Sequence, residues 1–592
     1  MKAILSGNEA IARGAYESGV RVATAYPGTP STEILENMRQ YETIDCGWSP
    51  NEKVALEVGF GAALGGARTL VAMKHVGVNV AADPLMTLSY TGINGGLVLV
   101  SADDPGMHSS QNEQDNRLYA QMAKVPLLEP ADSQECKDFI SVALEISERF
   151  DTPVILRTTT RISHSRTVVE LGDEKHEVAV KPYAKHRDKY VMLPGFARLR
   201  HPVVEERLAQ LQVYAEETPL NRLEWGSKTL GIITSGVTYQ YVKEALPEAS
   251  VLKLGFSYPL PEKLVRRFAA EVEELVVVEE LEPFLENQVR ALGLKVKGKA
   301  LFSPLGELGP GLIREKLGGK SGEIRVEETE NDRSGTREEL PARPPILCPG
   351  CSHRALFFTL KRLKLAVTGD IGCYTLGALP PLDAMDSCLC MGASIGAALG
   401  MEKAHPEAWK TTIAVIGDST FFHSGITPLM DVVYNRGKTT VLIADNRTTA
   451  MTGHQEHPGT GKTLRGAETH AVDLEELARA LGVRRVCTVN PLELERLKEI
   501  LQEELAAPEP SVVIARYPCA LSKEKEAPFA VVEENCTGCK SCLRPGCSAM
   551  SLQEKAAGED TAGENARVFI DPNLCSGCGL CFQLCRYEAI SR

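Results

Sequence analysis

The chain has 592 residues, 43% hydrophobic and 24% charged, with a formal net charge of -13. That length exceeds what one core supports, so several domains are expected, and the acidic balance argues against a nucleic-acid binder. No run of about 18 apolar residues predicts a membrane span and MKAILSGNEA is no secretory leader, so the 17 cysteines point to metal ligation in a reducing cytoplasm rather than to disulfides.

Residues 1–180 alternate helices with short apolar strands. A helix is expected over 8–17 and a strand over 20–25, then the turn Tyr26-Pro27-Gly28-Thr29-Pro30 and a helix capped by Ser31. A Gly- and Ala-rich helix over 52–66, strands in TLVAMKHV and GGLVLVSADDPG, and a strand over 153–160 continue the pattern. Such alternation indicates a mostly parallel α/β sheet. Residues 181–227 lose the rhythm and read as a linker or excursion carrying a helix over 203–216. A second α/β domain is expected over 228–318, from TLGIITSGVTYQYVKEAL to ELVVVEEL, followed by a polar linker over 319–345. A third α/β domain spans 346–520, with strands over 411–418, 439–446 and 511–517, and a small α+β cysteine-rich domain occupies 528–592.

That last domain is an internal duplication, CTGCKSCLRPGC and then CSGCGLCFQLC. Its spacing is close to the C-x2-C-x2-C-x3-C run of two-cluster ferredoxins, in which the fourth cysteine of each run serves the other cluster. The expected [4Fe-4S] ligands are Cys536, Cys539, Cys542 and Cys585 for one cluster, and Cys575, Cys578, Cys581 and Cys547 for the other. Zinc knuckles usually include histidine, and neither run has one. Cys547 follows a gap of four residues rather than three, which predicts a local bulge.

In the third domain Gly417-Asp418-Ser419 and Asp445-Asn446 end two predicted strands, where open α/β sheets bind ligands. A carboxylate and an amide oxygen there suit Mg2+ holding a diphosphate. The pattern is similar to the thiamine diphosphate motif GDG followed by NN, with Ser419 for the third glycine and Asp445 for the first asparagine. Gly392 opens a helix whose N-terminus suits phosphate. The loop after Asn446, with Thr448, Thr452 and Gly453, is placed to wrap the diphosphate, the Thr448 carbonyl reaching Mg2+.

CPGCSHR, GDIGCYTLG, MGASIG, GDST, DNRTTAMTG and YPC, in that order, resemble the thiamine diphosphate domain of 2-oxoacid:ferredoxin oxidoreductases, and AYPGTPSTE and EVGFGAALGG resemble the pyrimidine-binding domain of that family. The order of modules is closest to the large subunit of its indolepyruvate-type members. The resemblance implies transketolase-like domains ahead of a two-cluster ferredoxin-like domain. It gives Glu57 as the carboxylate facing the aminopyrimidine and Thr29 as a contact to the substrate carboxylate. It also implies a third cluster, proximal to the thiamine, on Cys348, Cys351, Cys373 and Cys519. The implied reaction is oxidative decarboxylation of an aryl pyruvate, with coenzyme A taking the acyl group and electrons passing to ferredoxin. The implied partner is a smaller beta subunit. Alternatives are another 2-oxoacid such as pyruvate, a non-oxidative thiamine enzyme, or a non-catalytic electron-transfer subunit. Cys46, Cys136, Cys388, Cys390 and Cys487 then read as packing residues, and His75, His108, His353, His423 and His454 as hydrogen-bonded loop histidines, with His353 and His75 the first acid–base candidates.

Overall fold

The computed structural model describes residues 1–172, 178–318, 344–553 and 567–592. They fall in two compact units, Met1–Thr336 and Arg337–Arg592. The linker expected over 319–345 lies outside the described residues except for its last two positions.

In the first unit, strands Phe256–Tyr258, Leu127–Leu128, Val154–Thr159, Leu97–Asp103, Thr69–Lys74, Val22–Ala25 and Asp45–Trp48 form one sheet in that order. All pairings are parallel except that of Phe256–Tyr258, which joins the edge antiparallel. The central strands are buried along their whole length, the pattern of a sheet covered on both faces. A second sheet orders Glu274–Val278, Ser227–Thr234, Ala249–Leu254 and Asn221–Glu224. Side chains from both sheets, including Leu99, Ile155, Leu252 and Val277, share one core with Phe268 of helix Glu262–Ala270.

Local chemistry explains several element ends. The first helix, Gly7–Glu17, is capped by Ser6 in a reciprocal capping box with Glu9. Ser31 stands at the N-cap of Thr32–Met38 but caps nothing: its hydroxyl donates to Gly28 O at 2.8 Å, and Thr32 Oγ1 accepts from Gly28 N instead. The excursion over 181–227 holds a longer helix than its 203–216 core, Pro194–Glu217, with Val204, Arg207, Leu211 and Ala215 buried along one stripe. Strand Asn221–Glu224, also within that stretch, is an edge of the second sheet. The N-terminal strand Lys2–Ser6 pairs antiparallel with Arg166–Glu170, a non-local pairing that no local pattern announces.

The second unit is built on one six-stranded parallel sheet: Ser387–Cys388, Ala366–Gly369, Thr412–Gly417, Thr440–Asp445, Ser511–Arg516 and Arg485–Val489 in spatial order. Its two faces carry separate cores, one around Phe357, Val415 and Leu442, the other around Ile416, Phe421 and Ile443. The cysteine-rich domain has two short antiparallel pairs, Ala530–Val531 with Ile590–Ser591 and Met550–Gln553 with Arg567–Ile570, over a small core of Phe529, Val568, Ile570 and Ile590. It packs on the large sheet domain through Leu580 and through Gln583, which bonds the backbone of Leu492 and Leu494. No helix among the described residues is long and apolar enough to cross a membrane.

The first unit is pinned by Arg117, whose guanidinium is 1% exposed. It binds Asp115, Glu279 Oε2 at 2.8 Å and the carbonyls of Glu280 and Glu282, so it joins the first sheet's helix to the second sheet. Burial would raise the Asp115 carboxyl, but Arg117 and Arg157 hold it below its usual range. Arg117→Met leaves two buried carboxylates without this partner and is expected to cost about 3–5 kcal/mol, read as a shift of the first unit's transition in urea unfolding.

Candidate functional site

The carboxyl ends of Thr412–Gly417 and Thr440–Asp445 lie side by side, Gly417 paired with Ala444. They bring Asp418, Asn446 and Thr448 together as buried residues. Asp418 Oδ2 accepts from Arg447 N at 2.8 Å, and Asn446 Oδ1 accepts from Thr448 N at 3.2 Å. These are hard oxygen donors around a turn, the set a Mg2+ ion takes. Asp445 is spent elsewhere. Its Oδ2 accepts from Arg516 Nε at 2.6 Å, and Arg516 is its register partner on the next strand. Burial and then the neighbouring Asp418 push the Asp445 carboxyl up, and Arg516 opposes them. The Asn-to-Asp departure therefore comes with its own countercharge.

Gly417 has a packing reason to be glycine: a Cβ there would lie 2.6 Å from the Tyr374 ring. Tyr374 is buried, and its hydroxyl donates to Ile371 O at 2.9 Å. Gly392 has φ +88, and its N–H is given to Asp370 Oδ1 at 2.8 Å, with Ser394 N on Oδ2 at 3.1 Å. A carboxylate of the chain thus already occupies the helix N-terminus expected to receive phosphate. Ser419 is buried and follows Asp418 in the same helical turn. Thr452 Oγ1 bonds Gln455 Oε1, and Gln455 Nε2 returns to Thr452 O, which closes the loop through Gly453.

The cysteines assemble as three sets. Cys351 feels the charge of Cys348 and Cys373, and Cys373 that of Cys519 and Cys348. Cys519 N donates to Asn446 O at 3.1 Å, so this set abuts the Asp418–Asn446 turn. One cavity is walled by Cys547, Cys575, Cys578 and Cys581, with Cys351 and Cys542 also on it. Another is walled by Cys536, Cys539, Cys542 and Cys585. Both sets have the exchanged fourth cysteine. Among the described residues no group of three or more His, Cys, Asp or Glu closes to single-ion distance. Burial pushes the Cys351 and Cys581 thiols up to about 12, so metal must displace their protons.

The extra residue before Cys547 forms the turn Pro545-Gly546, with Gly546 at φ +72. Buried Arg354, from CPGCSHR, donates to Pro545 O at 3.0 Å and to Gly546 O at 2.5 Å, and also to the carbonyls of Leu347 and Cys348. One side chain fastens both cysteine loops.

In the first unit the expected Glu57 lies on an exposed helix face. Its side chain is 44% exposed and pairs with Lys53 one turn back, the arrangement of a solvated helix face. The buried carboxylate of that helix is Glu52, 5% exposed and packed so close to Gly77 that a Cβ there would meet Glu52 Oε1 at 2.7 Å. Thr29 is half-buried in its turn, and its carbonyl accepts from Ser109 Oγ at 3.3 Å.

Among the remaining cysteines, Cys46 and Cys136 are buried, but Cys388 and Cys390 are exposed, because Ser387–Cys388 is the edge of its sheet. Of the histidines, burial lowers His353 to about 4, so its imidazole is neutral at pH 7. His423 is buried beside Ser424 Oγ, at 2.6 Å. Sequence reasoning missed His457: Gly459 N donates to its Nδ1, which leaves Nε2–H for Asp418 Oδ2 at 3.2 Å. It also missed Asp370, whose position in GDIGC was the available signal. Gly417→Ala is expected to cost about 1–3 kcal/mol in chemical denaturation of the cofactor-free protein, and Tyr374→Leu in the same chain to recover part of that loss in a double-mutant cycle.

Family models match at three places: "Pyruvate flavodoxin/ferredoxin oxidoreductase, thiamine diP-bdg" over residues 13–218, "Thiamine pyrophosphate enzyme, C-terminal TPP binding domain" over 370–515, and "4Fe-4S binding domain" over 568–591. Curated relatives named indolepyruvate oxidoreductase subunit IorA are 43% identical in Methanothermobacter thermautotrophicus, 42% in Archaeoglobus fulgidus and 40% in Pyrococcus horikoshii; each alignment covers 100% of this chain and 97% of the relative. A solved 2-oxoglutarate:ferredoxin oxidoreductase from Magnetococcus marinus aligns with 54% of this chain and 65% of its own, at 18% identity and a TM-score of 0.46. On the strength of the full-length relatives, the chain belongs to the indolepyruvate oxidoreductase subunit IorA family of 2-oxoacid:ferredoxin oxidoreductases.

Proposed function

We propose that this chain is the thiamine- and cluster-bearing subunit of an enzyme that oxidatively decarboxylates indolepyruvate, with coenzyme A as acyl acceptor and ferredoxin as electron acceptor. A smaller beta subunit completes it. One observation carries the reading: a cysteine set bonded to the Asp418–Asn446 turn is followed by two cysteine-walled cavities that share Cys542. A thiamine-type site with that line of sulfurs behind it suits a reaction whose electrons must leave one at a time.

When bound, thiamine diphosphate supplies the bond-breaking chemistry and the clusters supply one-electron transfer. The chain's own residues position and neutralise. Asp418, Asn446 and the Thr448 carbonyl would hold Mg2+, and His457 orients the Asp418 carboxylate from behind, as outer-shell partners do. Arg516 keeps Asp445 out of that set. Glu52, buried, takes the aminopyrimidine role expected of Glu57, and Thr29 meets the substrate carboxylate. Cys348, Cys351, Cys373 and Cys519 would hold the cluster beside the thiamine site, Cys547, Cys575, Cys578 and Cys581 a second, and Cys536, Cys539, Cys542 and Cys585 a third on the side where Cys539 is exposed, each supplying one-electron transfer.

Anaerobic reduction of ferredoxin or viologen by the assembled enzyme, with coenzyme A and a panel of 2-oxoacids, tests the function. Indolepyruvate and phenylpyruvate are expected to lead the panel. Preference for pyruvate would sink the substrate assignment, and an active protein free of iron would sink the whole reading. Arg354→Met is expected to release the Pro545-Gly546 turn, so that iron falls from about twelve to about eight atoms per chain; iron analysis and low-temperature EPR of the anaerobic protein check this.

A further inference from the structure

Lys74 ends the buried strand Thr69–Lys74 and is itself 8% exposed. Its ammonium donates to Ser109 O at 2.7 Å and lies 3.5 Å from Ser109 Oγ. Two other buried cations of the first unit meet carboxylates, Arg157 with Asp103 and Glu129 and Lys253 with Glu135, whereas Arg207 donates to the carbonyls of Asp151 and Ser89. Lys74 forms no ion pair among the described residues; Asp104 and Glu52 act on it only through space. Asp104 is committed to Ser109 N, Ser110 Oγ and Thr160 Oγ1. A buried ammonium that has only a carbonyl and a hydroxyl is costly unless an anion joins it.

Its neighbourhood says which anion. The Lys74 stem lies against the Thr29 turn, where a Cβ on Gly28 would be 3.1 Å from Lys74 Cβ. Ser109, which accepts from Lys74, donates to Thr29 O. The cation, the turn and Glu52 therefore converge at the carboxyl edge of one sheet. A desolvated ammonium binds a carboxylate more strongly than a surface one does.

We propose that Lys74 receives the carboxylate of the 2-oxoacid substrate beside Thr29. This rests on the function proposed above. It gives the substrate's charged end a fixed counterion, so the pocket selects 2-oxoacids over neutral ketones. Lys74→Gln removes the charge but keeps a donor for Ser109 O; Lys74→Arg keeps the charge.

In the assembled, cofactor-loaded enzyme, Lys74→Gln is expected to raise KM for indolepyruvate about 10- to 100-fold, with a smaller change in kcat, and Lys74→Arg to recover most of the loss. A second readout needs no turnover of the inhibitor. Wild type is expected to bind indoleacetate more tightly than indoleacetamide, and Lys74→Gln to lose that preference. An active wild type whose Lys74→Gln variant keeps KM and the carboxylate preference within about twofold overturns the assignment while leaving the function standing. A Lys74→Gln variant that loses stability but keeps the preference also overturns it. A wild type inactive on every 2-oxoacid overturns the functional reading, and this inference with it.

Discussion

The second unit depends on one buried guanidinium. Arg354 sends its donors to four backbone carbonyls, two in the loop that carries Cys348 and two in the turn before Cys547. Carbonyls bonded to a charge hold more firmly than neutral pairs do. Cysteine loops have little regular structure of their own, so their sulfurs are placed by whatever fixes the backbone between them. Here that fixing comes from outside the cysteine-rich domain, and the position of one sulfur set is thereby tied to that of the next. Ser576 packing on Gly350 also ties the Cys348 loop to the Cys575–Cys578 run.

The Asp418–Asn446 turn obeys the same economy. Adjacent parallel strands end together, and each polar group at their ends has an assigned partner: Asp418 has Arg447 N and His457, Asp445 has Arg516, and Asp370 has the helix that starts after Gly392. Preorganised groups need not rearrange when a ligand arrives, and that is where a site of fixed dipoles gains over water. Tyr374 fills the space that Gly417 leaves, so the turn is held by shape as well as by charge.

Much of this was legible in the sequence. The strand–helix alternation, the duplicated cysteine runs and the G-D and D-N strand ends give the parallel sheets and the placement of the cysteines, because these signals are local and their spacing is dictated by chemistry. What the sequence hid is burial set by partners far along the chain. Glu52 and Glu57 share a helix, and only the packing of Gly77 against Glu52 tells them apart. Cys388 and Cys390 look like packing residues until the strand Ser387–Cys388 turns out to be a sheet edge. His457 lies in a loop of no recognisable pattern, and its link to Asp418 spans 39 residues. The edge strand Phe256–Tyr258 belongs by sequence to the second α/β stretch but by hydrogen bonding to the first sheet.

That misplaced strand constrains how the chain is made. The first sheet's edge at Leu127–Leu128 stays open until residues 256–258 have been synthesised, and the core beneath it is complete only after Phe268 and Val277. An exposed strand edge over an unfinished core invites pairing with another chain. The newly made N-terminal half must therefore wait, shielded, for a segment synthesised long after it. A fragment cut near residue 180 keeps the turn with Thr29 and the Lys74 strand but carries an open edge, so these groups are best studied within the longer chain.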